Sequence, residues 1–402
     1  MGSTIQTIQF DMTQTLFIAV LLLLLGKAIN KRVTIFAKYC IPGAVVGGLL
    51  FAIIALILRQ AEIVTFEFNT TLQQFFMNLF FTASGFGASM GLLKKGGKLV
   101  VIFLFIAAGT AFLQNVVPVA LAGVVGLEPM IALMTGSIPM TGGHGNAASF
   151  GPLAEEMGFA GANAVAVAAA TFGLVSGSIM GGPVASRIIE KKKLFTKADR
   201  DTAEQREAAD AKIIFSPAVV SQSFNLIFVG LGLGSLLFSL FKQLLPNVTL
   251  PIHVMGMLGG VIIRILMDIK RIPVPEVEID TIGNVCLGVF VSMAVYTMRL
   301  WELIDLAVPI LILLMLQLVL MYIIARFVTF PLTGANYDAA IITAGHIGFG
   351  LGAVPVSMAN MNSLSEKYKY SKLAFFVVPI IGGLFSNFTN AAIITLFMNW
   401  CK

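Results

Sequence analysis

Two glycine-rich segments contain the residue types best suited to ligand chemistry. The first, over 135–149, reads TGSIPMTGGHGNAAS, and the second, over 343–357, has a similar mixture of glycine, threonine, serine, histidine and proline. Glycine lacks a side chain, so a ligand can approach bare main chain. Where the chain restarts as a helix, free N–H groups and the positive helix end favour an anion without any lysine or arginine. Carbonyl groups at the end of the incoming helix suit a cation such as Na⁺.

Polar side chains beside the glycines complete a predicted ligand site. Asp338 and Asn360 are predicted sodium ligands, and the alternative role of Asp338 is a helix N-cap. The two histidines of the segments are alternatively neutral groups that hydrogen-bond to main chain freed by a helix break. They have no third ligand nearby in spacing, so neither a transition-metal site nor a cofactor is predicted. The predicted substrate-binding residues are Ser137, Thr141, Gly142, Gly143, His144, Gly145, Asn146, Thr343, Gly345, His346, Gly348, Gly350 and Ser357.

The composition of the chain places these segments in a membrane. The 402 residues are 57% hydrophobic and only 11% charged, whereas a soluble domain has about 25% charged residues. Basic residues stand between apolar runs and not on a continuous polar face, so nucleic-acid binding is not expected. Since a spanning helix needs about 20 apolar residues, the predicted spans are 12–29, 40–58, 74–93, 98–122, 160–188, 216–241, 250–267, 283–299, 303–327 and 372–398.

Two further apolar stretches, 130–157 and 336–362, are interrupted at their centres by the glycine-rich segments. Neither half of either stretch is long enough to cross a bilayer alone. Each stretch is therefore predicted to be a re-entrant hairpin or a broken helix, buried in protein or lining a wet cavity. The alternative is that the glycines only allow close helix packing, which is our interpretation of Gly181-Gly182 and Gly259-Gly260.

The distribution of lysine and arginine predicts the orientation. With the charged linker 189–215 in the cytoplasm, the positive-inside rule is obeyed by all of the 26 basic residues except Arg59, Lys242, Arg299 and Lys402. Both termini then lie on the external, periplasmic side.

An internal repeat relates residues 1–188 to residues 216–402. Ile41-Pro42 is followed by the same spacing of valine and glycine as Leu250-Pro251, and Gly143-His144 corresponds to Gly345-His346. Five spans per repeat is an odd number, so the second repeat must have the inverted orientation. Inverted repeats are typical of secondary transporters, which bind substrate and ion near the midplane. We therefore expect the two glycine tips to approach each other inside the bilayer.

The motifs TGGHGNAA at 141–148 and NYDAAIITAGHIGFGLGAVP at 336–355 resemble the bacterial glutamate:sodium symporter family. The resemblance extends from about residue 16 to the end, except over 190–215. It implies an all-α fold of ten spans in two inverted repeats with two re-entrant loops, sodium-coupled uptake of L-glutamate across the inner membrane, and a homodimer. It also implies an elevator-type movement, in which a domain carrying the hairpins moves against a static scaffold.

One position departs from the family pattern, and several functions remain open. The family's first loop usually has a further glycine where this chain has Ala147, so the substrate range is not fixed by the resemblance. The alternatives are sodium- or proton-coupled transport of another small carboxylate or amino acid, a channel of the same architecture, and an intramembrane enzyme that uses a histidine base. No G-x-x-x-x-G-K-[ST] motif is present, which excludes a P-loop pump in this chain.

Overall fold

The computed structural model describes residues 6–39, 41–87, 90–195, 216–244 and 251–402. The first half of the chain contains β1 (Gln6–Phe10), α1 (Met12–Arg32), α2 (Thr34–Lys38), α3 (Gly43–Gln60), β2 (Val64–Phe68), α4 (Thr71–Gly85), α5 (Met90–Val125), α6 (Pro129–Leu133), α7 (Gly143–Glu156) and α8 (Ala162–Lys192). The second half contains α9 (Pro217–Leu244), α10 (Ile252–Ile269), α11 (Glu276–Tyr296), α12 (Ala307–Ile324), α13 (Phe330–Leu332), α14 (Tyr337–Gly350), α15 (Val354–Lys367), α16 (Lys372–Pro379) and α17 (Ser386–Trp400).

Short irregular helices join some of these elements. A 3₁₀ helix spans Leu300–Leu306, and π-helical segments at Ala325–Thr329 and Ile380–Phe385 connect α12 to α13 and α16 to α17. Within α5, Gly97 has a left-handed φ of 60° and separates a short first part from the long apolar part. Most of the predicted linker, residues 196–215, lies outside the described residues.

Nine helices in the described ranges are long and apolar enough to cross a membrane. They confirm the predicted all-α, multi-pass membrane fold. The run predicted at 74–93 is represented by α4, which has 15 residues and extends over about 23 Å at 1.5 Å per residue. That length is less than the roughly 30 Å of bilayer hydrocarbon, so the ten-span layout stays a prediction. The nine are Met12–Arg32, Gly43–Gln60, Gly97–Val125, Ala162–Lys192, Pro217–Leu244, Ile252–Ile269, Glu276–Tyr296, Ala307–Leu332 and Lys372–Trp400.

A small parallel pair of strands lies before α1 and after α3. β1 and β2 are paired in register from Gln6 opposite Val64 to Phe10 opposite Phe68. Hydropathy does not predict either strand, because each has only five residues and mixes polar with apolar side chains.

The helices pack in two groups, each of which draws on both halves of the sequence. The first group contains α1, α3, α4, α9, α10 and α11, and the second contains α5–α8, α12 and α14–α17. The principal contact between the groups joins α7 to α11. In the first group, Gly47 lies against the carbonyl of Leu22 and Gly259 against the carbonyl of Gly230, so that an added Cβ would overlap these atoms. This close approach is the packing role expected of small residues in membrane helices.

Candidate functional site

The first glycine-rich segment interrupts the path from α6 to α7. Residues 134–142, here called the first break, form successive turns, and α7 begins at Gly143, whose φ of +61° is left-handed. Gly142 stands at the N-cap position and offers no side chain to cap the helix. The Gly143 N–H donates to the Pro139 carbonyl at 3.0 Å, so the N–H groups of His144 and Gly145 are the ones left without a cap among the described residues. The start of α7 therefore has the properties of the anion site that the sequence predicts.

The second glycine-rich segment interrupts the path from α14 to α15. Residues 351–353, the second break, join the end of α14 at Gly350 to the start of α15 at Val354. Ala353 is the N-cap residue of α15 and likewise provides no side-chain cap. The two helices are closely packed behind the break, because the Ser357 hydroxyl donates to the carbonyl of Gly345 at 2.7 Å and the Cβ of any residue at position 348 would lie 2.5 Å from Ser357 Cα.

The two breaks meet in the interior of the protein. A Cβ atom at Gly143 would lie 2.6 Å from the carbonyl oxygen of Gly352, so only glycine fits at this position. Two glycines of α8 pack against both breaks where they meet. Gly173 lies against the carbonyl of Leu351 and near Met140 of the first break, and Gly177 lies against the side chain of Leu351. Bare main chain from both halves of the sequence is thus brought together.

A glutamine that was not predicted connects the two breaks. Gln114 of α5 is fully buried; its Oε1 accepts a hydrogen bond from the Thr141 hydroxyl at 2.6 Å, and its Nε2 donates to the carbonyl of Gly350 at 2.6 Å. The main-chain carbonyl of Gln114 accepts a hydrogen bond from Gln317 Nε2 of α12 at 2.7 Å. One side chain therefore fixes the position of the first break relative to the end of α14.

Two further buried amides hold the first break. The main-chain N–H of Ser137 donates to Asn115 Oδ1 of α5 at 2.7 Å, and Asn390 Nδ2 of α17 donates to the Ser137 carbonyl at 3.0 Å. Hydropathy does not single out these amides and the two glutamines, because each lies within a run that is apolar on average. The signal that could have found them is a polar residue at mid-span, which is costly in lipid and usually functional.

The two histidines of the breaks are buried and bind threonine hydroxyls. His144 Nε2 lies 3.0 Å from Thr171 Oγ1 of α8, and His346 Nδ1 lies 2.8 Å from Thr329 Oγ1 in the π-helical segment. Their partners are side chains and not the freed main chain that the alternative interpretation expected. His253, on α10, is buried between the rings of Phe81 and Phe150.

Several other predicted residues lie away from the meeting point. Asp338 lies in the first turn of α14, near the opposite end of that helix from Gly350, and accepts from Ser371 Oγ at 2.6 Å. The N-cap of α14 is Asn336, whose side chain accepts from the Ala339 N–H, so the N-cap interpretation of Asp338 is wrong. Thr343 donates back to the carbonyl of Ala339 within α14.

Two predicted residues, Asn360 and Asn146, lie where the broken helices pack against neighbouring residues. Asn360 Nδ2 donates to the carbonyl of Gly177 at 3.0 Å, and its amide lies against Gly181. Gly181 therefore packs on a predicted site residue and not on an ordinary helix face. Asn146 packs over Gly142, and its Nδ2 has no hydrogen-bond partner among the described residues. Gly145 faces Phe80 and Leu287 of the first helix group at ordinary contact distances.

A cavity of about 740 Å³ opens beside the far end of α7. Its wall includes Ser149, His253 and Glu155, and the Glu155 carboxylate accepts from the Asn163 N–H at 3.1 Å. Burial raises the pKa of Glu155. α7 runs from the meeting point to this cavity, and the residues of α7 that line it lie at the end of the helix away from the first break.

These features define a class of protein: a multi-pass helical membrane protein whose broken helices present main chain at its interior, as secondary transporters do. The family model for the sodium/glutamate symporter matches residues 8–370. A sodium/glutamate symporter from Haemophilus influenzae is 38% identical over 391 residues, covering 96% of both chains. One from Escherichia coli K12 is 37% identical over 394 residues, covering 96% of this chain and 97% of the relative. The chain belongs to the sodium/glutamate symporter family, which confirms the resemblance drawn from the two motifs.

Proposed function

We propose that the protein is a secondary active transporter that couples the inward movement of Na⁺ to the uptake of L-glutamate across the inner membrane. The observation that carries the proposal is the contact of Gly143 with the carbonyl of Gly352 in a chain of this family. It brings an uncapped helix start and the carbonyls of a second break to one buried place. An anionic amino acid and a monovalent cation need these two kinds of main-chain group.

The substrate carboxylates bind at the two breaks. The N–H groups at the start of α7 take one carboxylate, with Thr141 and Asn146 as the nearest of the predicted polar residues. Ser357 and Gly348 hold α14 and α15 together behind the second break. Asp338 and Asn360 stay predicted sodium ligands; of the two, Asn360 lies nearer the breaks, through its contact with Gly177.

Na⁺ binding and glutamate binding are coupled if both ligands stabilise the same arrangement of the two breaks. Gln114 supports this view, since it bonds to Thr141 on one side and to Gly350 on the other. A ligand that orders either break lowers the cost of ordering the other, and the effect of Na⁺ on glutamate affinity must equal the effect of glutamate on Na⁺ affinity.

The movement proposed is an elevator, with the second helix group sliding against the first. The contact between the groups is largely apolar where Gly145 faces Phe80 and Leu287. Among the described residues two hydrogen bonds cross it, from Asn163 Nδ2 to the carbonyl of Ala294 at 3.1 Å and, near the far end of α7, from Gln74 Nε2 to Glu156 Oε1 at 3.2 Å. We further propose a homodimer, periplasmic termini and a cytoplasmic linker, on the sequence grounds given above.

The test is uptake of labelled L-glutamate into proteoliposomes with an inward Na⁺ gradient, compared with an inward K⁺ gradient and with a proton gradient alone. Accumulation above equilibrium only with Na⁺ supports the proposal. Equal uptake with K⁺ refutes sodium coupling, and uptake that stops at equilibrium indicates a channel. Competition by aspartate and by C4 and C5 dicarboxylates defines the substrate range that Ala147 leaves open.

A further inference from the structure

The buried amides around the first break form one connected polar network. Asn115 of α5 and Asn390 of α17 bond to the main chain of Ser137 in the first break. Gln317 of α12 bonds to the main-chain carbonyl of Gln114, the neighbour of Asn115 in α5. All five are fully buried. Apart from Ser137, none belongs to the predicted ligand set.

The hydrogen bonds of the network fix the orientation of two amides. Asn390 and Gln317 each donate through nitrogen to a main-chain carbonyl, at 3.0 and 2.7 Å respectively. Rotating either amide by 180° would place two oxygen atoms together, so the nitrogen must face the carbonyl. Asn390 Oδ1 and Gln317 Oε1 are therefore left without partners in the described parts of the chain.

Two more atoms of the network are unused. Asn115 accepts the Ser137 N–H through Oδ1, and neither Asn115 Nδ2 nor the Ser137 hydroxyl has a hydrogen-bond partner among the described residues. The network thus offers three unused oxygen atoms and one unused amide nitrogen. Buried polar groups without partners cost free energy, so a cluster of them in a connected network indicates a ligand.

The chemistry of these atoms favours a small monovalent cation. Amide and hydroxyl oxygens are hard ligands of the kind that bind alkali and alkaline-earth ions. All five side chains are uncharged. A neutral oxygen set in a buried place suits a single positive charge better than a divalent ion, which usually binds carboxylates. The turns of the first break add main-chain carbonyls close by.

We propose that Ser137, Gln317 and Asn390 bind a coupling Na⁺ through Ser137 Oγ, Gln317 Oε1 and Asn390 Oδ1. This inference rests on the proposed function and adds a sodium site separate from the one predicted at Asp338 and Asn360. It also gives a route for coupling, because Gln317 bonds to the main chain of Gln114, whose side chain joins Thr141 to Gly350. An ion bound here orders the residue that positions both breaks before the substrate arrives.

The experiment measures the thermal unfolding midpoint of the purified full-length protein against NaCl, with choline chloride keeping ionic strength constant and without glutamate. Ser137→Ala is the mildest variant, since the hydroxyl it removes has no partner in the described protein. Gln317→Leu and Asn390→Leu remove the other two oxygens. Asn30→Leu is the matched control: it also carries an unpartnered amide oxygen, but on α1 in the first helix group.

We expect Na⁺, and not K⁺ or choline, to raise the midpoint of the wild type and of Asn30→Leu. The half-saturating Na⁺ concentration should rise by about tenfold or more in the three network variants, because each loses a direct ligand of the ion. In proteoliposomes the same variants should need correspondingly more Na⁺ for half-maximal glutamate uptake.

An unchanged half-saturating Na⁺ concentration in Ser137→Ala and in both leucine variants overturns the inference. If those proteins still accumulate glutamate with Na⁺, the proposed function stands and only the ion assignment fails. A wild type that glutamate stabilises without Na⁺, with that effect lost in the variants, also overturns it and assigns the oxygens to the ammonium group of the substrate. Should the wild type show no Na⁺-dependent uptake, the proposed function itself fails.

Discussion

Gly143 and Gly352 are in contact although they are separated by more than half of the chain: a Cβ atom at Gly143 would lie 2.6 Å from the Gly352 carbonyl oxygen. Position 143 is restricted twice, because its φ of +61° also disfavours any side chain. The carbonyl belongs to the main chain of the second break, so it cannot move aside as a flexible side chain would.

Gly143→Ala is therefore expected to abolish glutamate uptake while the protein still inserts into the membrane. The control is Gly126→Ala, which has the same left-handed strain (φ +73°) but open space around its Cβ. Both variants should lose about 1 kcal/mol of stability from strain, whereas only Gly143→Ala should lose transport. The measurement is the rate of glutamate uptake into proteoliposomes, normalised to the amount of reconstituted protein. A normal rate for Gly143→Ala would show that transport does not need the contact between the two breaks.

The sequence predicts this contact, but it does not predict how the contact is held. The glycine tips are visible because glycine, histidine and small polar residues cluster at corresponding places in both repeats. Gln114 does not lie in a cluster of glycine, histidine and small polar residues, and the Gly350 carbonyl to which it donates is 236 residues away in the sequence. Only the packing of α5 beside α14 brings them together, and hydropathy contains no information about which helices are neighbours. The shortness of α4 was missed for a related reason, since apolar residues continue beyond the end of the helix at Gly85.

Gln114→Leu tests the link between the breaks. The substitution keeps the approximate volume but leaves the Thr141 hydroxyl and the Gly350 carbonyl without their partner. Each unpaired buried group costs about 1–3 kcal/mol, so the apparent KM for glutamate should rise by at least about tenfold. Gln114→Glu should also fail, because a carboxylate would repel the Gly350 carbonyl. A normal KM in both variants would show that the breaks are held by other contacts.

Neighbouring glycines on α8 provide a matched pair. A Cβ at Gly181 would overlap the amide of Asn360 and lie 3.1 Å from the Ala344 carbonyl, whereas a Cβ at Gly182 meets no atom within 4 Å. Gly181→Ala should displace Asn360 and lower uptake by about tenfold or more, as expected for overpacking that costs 1–3 kcal/mol. Gly182→Ala should transport normally and gain slightly in helix stability. Equal behaviour of the two variants in the uptake assay would argue against tight packing of α8 on α15.

An ion-pair cluster around the buried Arg264 joins helices of the first group and is predicted to matter for stability alone. Arg264 of α10 is 6% exposed; it pairs with Asp268 at 2.9 Å and Glu276 at 2.6 Å, and donates to the Phe86 carbonyl at 3.0 Å. These contacts join α10, the start of α11 and the end of α4, none of which carries a break.

Arg264→Leu should therefore lower the thermal unfolding midpoint, because it leaves the Phe86 carbonyl without its donor, which costs about 1–3 kcal/mol. The carboxylates of Asp268 and Glu276 stay accessible to water and add less. The exposed Lys31→Ala is the control and should change the midpoint little. The KM for glutamate of the properly inserted fraction of Arg264→Leu should equal that of the wild type, since the cluster reaches no residue of either break. A raised KM with an unchanged midpoint would reverse the assignment and place Arg264 in the transport cycle, through the contact that α11 makes with α7.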